Sequence, residues 1–131
     1  METAELQIRT GQKYVMVPIT GQVTELLQQR GWHDGILTVF VPHTTAGVTI
    51  NENADPDVAG DMTWFMQQLV PDVSGFRHAE GNSDAHIKAS LFGSSVQVIV
   101  RAGRLWLGTW QGVYFCEFDG PRQRQIRLAF S

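Results

Sequence analysis

Val96, Val98 and Val100 recur at every second position, Ala102-Gly103 interrupts, and Leu105 and Leu107 take up the same spacing again. A period of two sends successive side chains to opposite faces of a strand, so each set marks the buried face of one. The small Ala-Gly pair between them is a tight-turn signal, and the whole segment reads as an antiparallel hairpin. Leu6 and Ile8 alternate with polar neighbours in the same way, and further short apolar runs lie at Tyr14–Val17, Ile36–Val41, Val113–Phe118 and Ile126–Phe130. So many short strands bounded by turn residues commit the chain to a mostly antiparallel sheet.

Only three segments break this pattern towards a helical spacing. Thr20 is placed to cap a helix reaching about Arg30, with Val23, Leu26 and Leu27 on one side and Gly31 as terminator. Asp55-Pro56 joins a capping carboxylate to a proline in the first turn, and Val58, Met62, Phe65 and Leu69 then fall on what should be the inward face until Pro71. Asp84 is placed to cap a short helix, Ala85 to Phe92, closed by Gly93. The expectation is an α+β fold: a compact, mostly antiparallel β-sheet or sandwich with two or three helices, residues 1–131 forming a single domain.

Bulk properties remove several function classes. No apolar run approaches the ~20 residues that span a bilayer, and the acidic start Met-Glu-Thr-Ala-Glu is unlike a secretory signal. A lone Cys116 excludes an internal disulfide and fits a reducing compartment, so a cytoplasmic protein without membrane partners is expected. Residues 1–100 carry five Lys/Arg against eleven Asp/Glu, which argues against nucleic acid. Residues 101–131 reverse the balance with Arg101, Arg104, Arg122, Arg124 and Arg127 against Glu117 and Asp119. That end is suited to a small anion such as phosphate.

Chemistry-bearing residues concentrate from His43 to Asp57, H-T-T-A-G-V-T-I-N-E-N-A-D-P-D. Residues 71–84 form a long stretch without apolar period, a length at which loops are commonly functional, and hold His78, Glu80 and Asp84. His86 follows in the first turn of the next helix. Three imidazoles from different elements suit an open metal or catalytic cluster, but no metal-ligand motif spaces them, and the alternative is three separate surface histidines. Asp55, Asp57 and Asp61 do not make a calcium loop, since Ala59 and Met66 occupy positions that need oxygen ligands. Glu52 is the carboxylate expected to handle a proton or orient a metal beside His43. Ser90, Ser94 and Ser95 flank Gly93, and with Lys88 they make a second place where phosphate is expected. Cys116, inside an alternating strand, reads as packing. Trp106 and Trp110 read as core or interface.

Three segments carry a family resemblance: H-T-T-A-G-V-T-I-N-E-N-A-D-P-D-V from His43, R-H-A-E-G-N-S-D-A-H-I-K-A-S-L-F-G-S-S from Arg77, and G-R-L-W-L-G-T-W-Q-G-V-Y-F-C-E-F-D-G-P-R-Q-R from Gly103. Together, in this order, they resemble the YjbQ family, the secondary thiamine-phosphate synthase family. The resemblance implies an α+β homotrimer with polar pockets near subunit boundaries. It implies a metal or anion site at the positions of His43, His78 and His86, and an ability to form thiamine phosphate from phosphorylated precursors. In that scheme His43, His78 and His86 hold a divalent metal of the zinc or magnesium class. His43, Glu52 and His86 are the catalytic set, and Lys88, Ser90 and Arg122 receive phosphate. The expected function is metal-assisted transfer or hydrolysis on a small phosphorylated substrate. The rival from another class is a trimeric, non-catalytic protein that binds a small anion or metal.

Overall fold

A computed structural model describes residues 1–131. Two antiparallel sheets account for the eight strands. The larger has the order β1(Glu2–Arg9), β8(Gln123–Phe130), β3(Gly35–Phe40), β5(Ser95–Arg101), β6(Arg104–Leu105), and the smaller β2(Val15–Pro18), β7(Gln111–Glu117), β4(Ala46–Glu52). The terminal strands β1 and β8 pair along their whole length, from Glu2 opposite Phe130 to Arg9 opposite Gln123. The expected hairpin is present: Ala102 and Gly103 both take positive φ (52° and 73°), and the Asp34 carboxylate accepts the Ala102 N–H at 2.9 Å. Positive φ at both central residues lets the turn follow the strand twist.

The main core lies between the sheets and under α1(Thr20–Gln29). It gathers Ile8, Val23, Leu27, Trp32, Leu37, Val48, Phe115, Ile126 and Leu128, among eighteen buried side chains. On the other face of the small sheet, Met16, Tyr114, Cys116 and Phe118 pack against Ala85 and Ala89 of α3(Ser83–Phe92). β7 is therefore covered on both sides, with Val113 and Phe115 facing one core and Tyr114 and Cys116 the other. A strand buried twice has no polar face, which explains the unbroken apolar run in its sequence.

Several local expectations need correction. Ile19, not Thr20, occupies the N-cap of α1, and the Thr20 hydroxyl instead accepts the Val113 N–H at 2.9 Å. Asn82, not Asp84, precedes α3, and Asp84 enters its first turn. The cap of α2(Pro56–Leu69) is as expected, the Asp55 carboxylate accepting the Asp57 N–H at 2.9 Å. Its inward face is only partly so: Met62, with Ala59, packs against the core on the outer face of the small sheet, whereas Phe65 and Leu69 are 56% and 57% exposed. Of the two places expected for Trp106 and Trp110, core and interface, their 59% and 63% exposure excludes the core.

Candidate functional site

The chain crosses from the large sheet to the small one between β3 and β4, and His43 stands in that crossing. The Val41 N–H donates to the Ser94 carbonyl at 2.7 Å, joining this crossing to the link between α3 and β5. Around it opens a cavity of about 670 Å³ whose thirteen lining residues include two hydrophobic ones. His43, His78, His86, Arg122 and Arg124 all line it, with Thr44, Thr45 and Ser94 supplying hydroxyls and Glu80 a carboxylate. A second cavity, about 460 Å³ between α2 and the small sheet, has aromatic and carboxamide side chains but no charged one and no histidine. The histidines and the charged side chains line the first.

Each ring is held differently. The Gln125 N–H donates to Nε2 of His43 at 3.0 Å. Nε2 is then an acceptor, and in the neutral ring the proton sits on Nδ1. Burial, and after it the nearby Arg124 guanidinium, lowers the His43 pKa below the ordinary imidazole value, so the ring is neutral at pH 7. His78, exposed in the loop, and half-buried His86 meet edge to face with centroids 5.5 Å apart.

Behind the rings is a buried polar network. Glu117 accepts from Arg124 Nε at 2.9 Å, from Arg124 Nη2 and from the Thr10 hydroxyl at 2.6 Å. Arg124 Nη2 also donates to the Thr45 hydroxyl at 2.8 Å. Burial alone raises a carboxylate's pKa, but the donors from Arg124, Thr10 and the Asp119 N–H outweigh it and hold Glu117 below the usual range. Arg122 is tethered at the rim, its Nη2 donating to Asp119 Oδ2 at 3.0 Å. Asn82 Nδ2 donates to the same oxygen at 2.8 Å.

Of the expected site residues, the fold brings His43, His78, His86 and Arg122 together and leaves three elsewhere. Glu52 lies at the far end of β4, seven residues long and so roughly 20 Å in span. Its carbonyl there accepts from the Tyr114 hydroxyl at 2.8 Å. Lys88 is buried on the opposite side of α3, with Nζ 2.6 Å from Asp84 Oδ2. The Tyr14 hydroxyl reaches the same oxygen at 2.9 Å. Ser90 is exposed and turns its hydroxyl back to the His86 carbonyl at 2.9 Å. The three rings share a cavity without forming a ligand set, because the acceptor nitrogen of His43 is occupied. No three His, Cys, Asp or Glu side chains come together as a group that could hold a metal ion. The expected three-histidine metal site does not fit this arrangement.

Sequence reasoning named Arg124 only among the five arginines of the basic end, and Thr45 only within the His43–Asp57 stretch, and gave neither a site role. Arg122 lies in the turn before β8 and Arg124 inside the strand, so the two share no strand face that spacing could reveal.

Fold and cavity define a small α+β protein with a histidine- and arginine-lined pocket at one end of two antiparallel sheets. A family model described as UPF0047 protein YjbQ-like matches residues 4–131, and the chain belongs to this family. It is 53% identical over 120 residues to the UPF0047 protein YugU of Bacillus subtilis, covering 91% of each chain. A UPF0047 protein of Methanocaldococcus jannaschii is 50% identical over 120 residues, 92% of this chain and 87% of that one. Among solved structures, a YjbQ/UPF0047-family protein of Clostridium acetobutylicum superposes with a TM-score of 0.93 at 49% identity, covering 98% of this chain and 99% of that one. A protein of Aeropyrum pernix K1 gives 0.94 at 38% identity, covering 100% and 98%.

Proposed function

We propose that the protein is an enzyme for a small phosphorylated substrate, with the formation of thiamine phosphate as the activity to test. One observation supports this above others: three imidazoles, two guanidiniums and three hydroxyls open onto one polar cavity. Arginine is suited to phosphate through its planar set of donors, and hydroxyls complete the oxygen shell. Joining a pyrimidine pyrophosphate to a thiazole phosphate breaks the bond to a pyrophosphate leaving group. The barrier is then lowered by holding both partners in place and by donors aimed at the charge developing on the departing oxygens. Arg122 and the hydroxyls of Thr44 and Ser94 take the binding role. As the thiazole nitrogen bonds to the carbon that the pyrophosphate leaves, His78 or His86 gives a proton to the departing pyrophosphate oxygen.

Assembly as a homotrimer is part of the same reading. Trp64, Phe65, Leu69 and Val73 are all exposed along α2 and just beyond it. A contiguous apolar strip of this kind is typical of a surface that another protein covers.

The test is thiamine phosphate formation by wild-type protein and His86→Ala, with metal content measured on both. Loss of a proton-transfer group costs about 10²–10⁴-fold in rate, so the variant should fall by that factor. Full activity of His86→Ala removes the ring from the mechanism. Phosphate binding without turnover at any metal loading points to the non-catalytic binding protein instead. Activity that rises in proportion to bound zinc or magnesium identifies a metal-dependent enzyme.

A further inference from the structure

One guanidinium of the cavity is buried and held by internal partners. Arg124 is 4% exposed, and its Nε and Nη2 are spent on Glu117 and Thr45. Its remaining nitrogen, Nη1, makes no hydrogen bond within the chain, yet it is not among the sealed, unpartnered polar atoms, which are Trp32 Nε1 and Asn82 Oδ1. Arg124 contributes to this cavity and to no other described for the chain, so Nη1 opens into it. His43 follows the same logic. Its Nε2 is taken by the Gln125 N–H, and its Nδ1 is free and not sealed off. The two are fixed by adjacent residues of β8: the side chain of Arg124, and the backbone of Gln125 that orients His43. Thr45, two residues after His43, grips Arg124 from the other side.

We propose that Arg124 Nη1 and His43 Nδ1–H form a preset pair of donors for one phosphate group, with His43 acting as a neutral donor rather than as a base or a metal ligand. This rests on the phosphate-substrate reading above and adds to it the groups that hold the anion. Donors fixed before the substrate arrives cost no reorganisation, and that is the condition under which they stabilise developing negative charge most. The Glu117 carboxylate behind Arg124 neutralises the buried guanidinium without occupying its outward nitrogen. A phosphomonoester or pyrophosphate fits such a pair, because one phosphate group has oxygens to accept from both donors. Burial and Arg124 both oppose protonation of His43, which keeps the proton on Nδ1 alone.

Imidazole ¹H–¹⁵N correlation spectra of the full chain, taken with and without pyrophosphate, test this. The free protein should show His43 protonated at Nδ1, and pyrophosphate should move the His43 and Arg124 side-chain signals. Arg124→Lys retains a cation for Glu117 but removes the outward nitrogen, and its pyrophosphate affinity should fall roughly tenfold or more. If Arg124→Lys does not fold, the His43 tautomer and the pyrophosphate shifts in the wild type decide alone. A His43 protonated at Nε2, or undiminished pyrophosphate binding by Arg124→Lys, overturns the proposal. Pyrophosphate that moves only His78 and His86 overturns the donor pair and leaves the phosphate-enzyme reading standing. Failure of the wild type to bind phosphate or pyrophosphate at all removes both.

Discussion

Replacing Lys88 by Met isolates the energetic role of a buried ion pair that lies behind the site. Lys88 and Asp84 are each 1% exposed, with 2.6 Å between Nζ and Oδ2, and Nζ also lies 4.4 Å from the centre of the Tyr14 ring. Methionine keeps the length of the side chain, so little cavity is created and the main loss is the partner of a buried carboxylate. Breaking such a pair from one side costs about 3–5 kcal/mol, a large share of the roughly 5–15 kcal/mol that stabilises a domain. With an unfolding entropy of ~2.1 cal/mol/K per residue, this is a fall of ~10–20 °C in melting temperature. The sign of the pH dependence is specific. In the wild type, burial disfavours the Asp84 carboxylate, but hydrogen bonds from Lys88 and Tyr14 win and lower its pKa. Its contribution is therefore present above the ordinary carboxylate value and lost as pH falls through the lowered one. In Lys88→Met the Tyr14 hydroxyl still donates to Asp84, but the strongest opponent of the burial penalty is gone and the pKa rises. The stability gap to wild type should then narrow as pH falls from 7 towards 4, where protonation relieves the buried charge. Asp84→Asn combined with Lys88→Met should recover most of the loss at neutral pH. Urea unfolding followed by tryptophan fluorescence, at fixed protein concentration and a series of pH values, measures this. A loss below about 1 kcal/mol that does not vary with pH refutes the reasoning.

Gly47→Ala should lower stability by about 1–3 kcal/mol, because its Cβ would stand 2.7 Å from the Gly93 carbonyl oxygen and 3.1 Å from Phe92 Cβ, forcing α3 away from β4. The same shift carries His86, so urea unfolding and thiamine phosphate assays should report losses together. Cys116 is fully buried and burial raises its thiol pKa, so a thiol reagent at pH 8 should label it only after denaturant is added. Phe65→Ser with Leu69→Ser should reduce self-association in sedimentation velocity while leaving single-chain circular dichroism unchanged. Unaltered association would show that α2 is not the surface joining the subunits.

The strands were legible because their information is local. Val96, Val98 and Val100 with Ala102-Gly103 define a hairpin whatever the rest of the chain does, and Asp55-Pro56 starts a helix by chemistry confined to three residues. β7 is a partial case: its apolar run announces burial but does not say that two cores share it. α2 misled for a related reason. Of the apolar stripe Val58, Met62, Phe65 and Leu69, Met62 packs inward while Phe65 and Leu69 stay exposed, and spacing alone does not separate the two.

For the site, residue types and spacing suggested that histidines and arginines mattered, and the resemblance of three separate segments said which. What each group is free to do was settled through space. His43 and Gln125 are 82 positions apart, and one hydrogen bond between them fixes which ring nitrogen is available. Lys88 looked like a phosphate ligand until α3 turned it onto Asp84, whereas Arg124 kept one outward nitrogen because Glu117 and Thr45 engage the others. By itself the sequence determined the antiparallel sheets, the start of α2 at Asp55-Pro56 and the set of polar groups available for chemistry, since all of these follow from neighbours along the chain. The tertiary structure decided which polar groups are consumed by internal partners and which face the cavity, because desolvation and hydrogen bonding depend on distances between residues that only folding brings close.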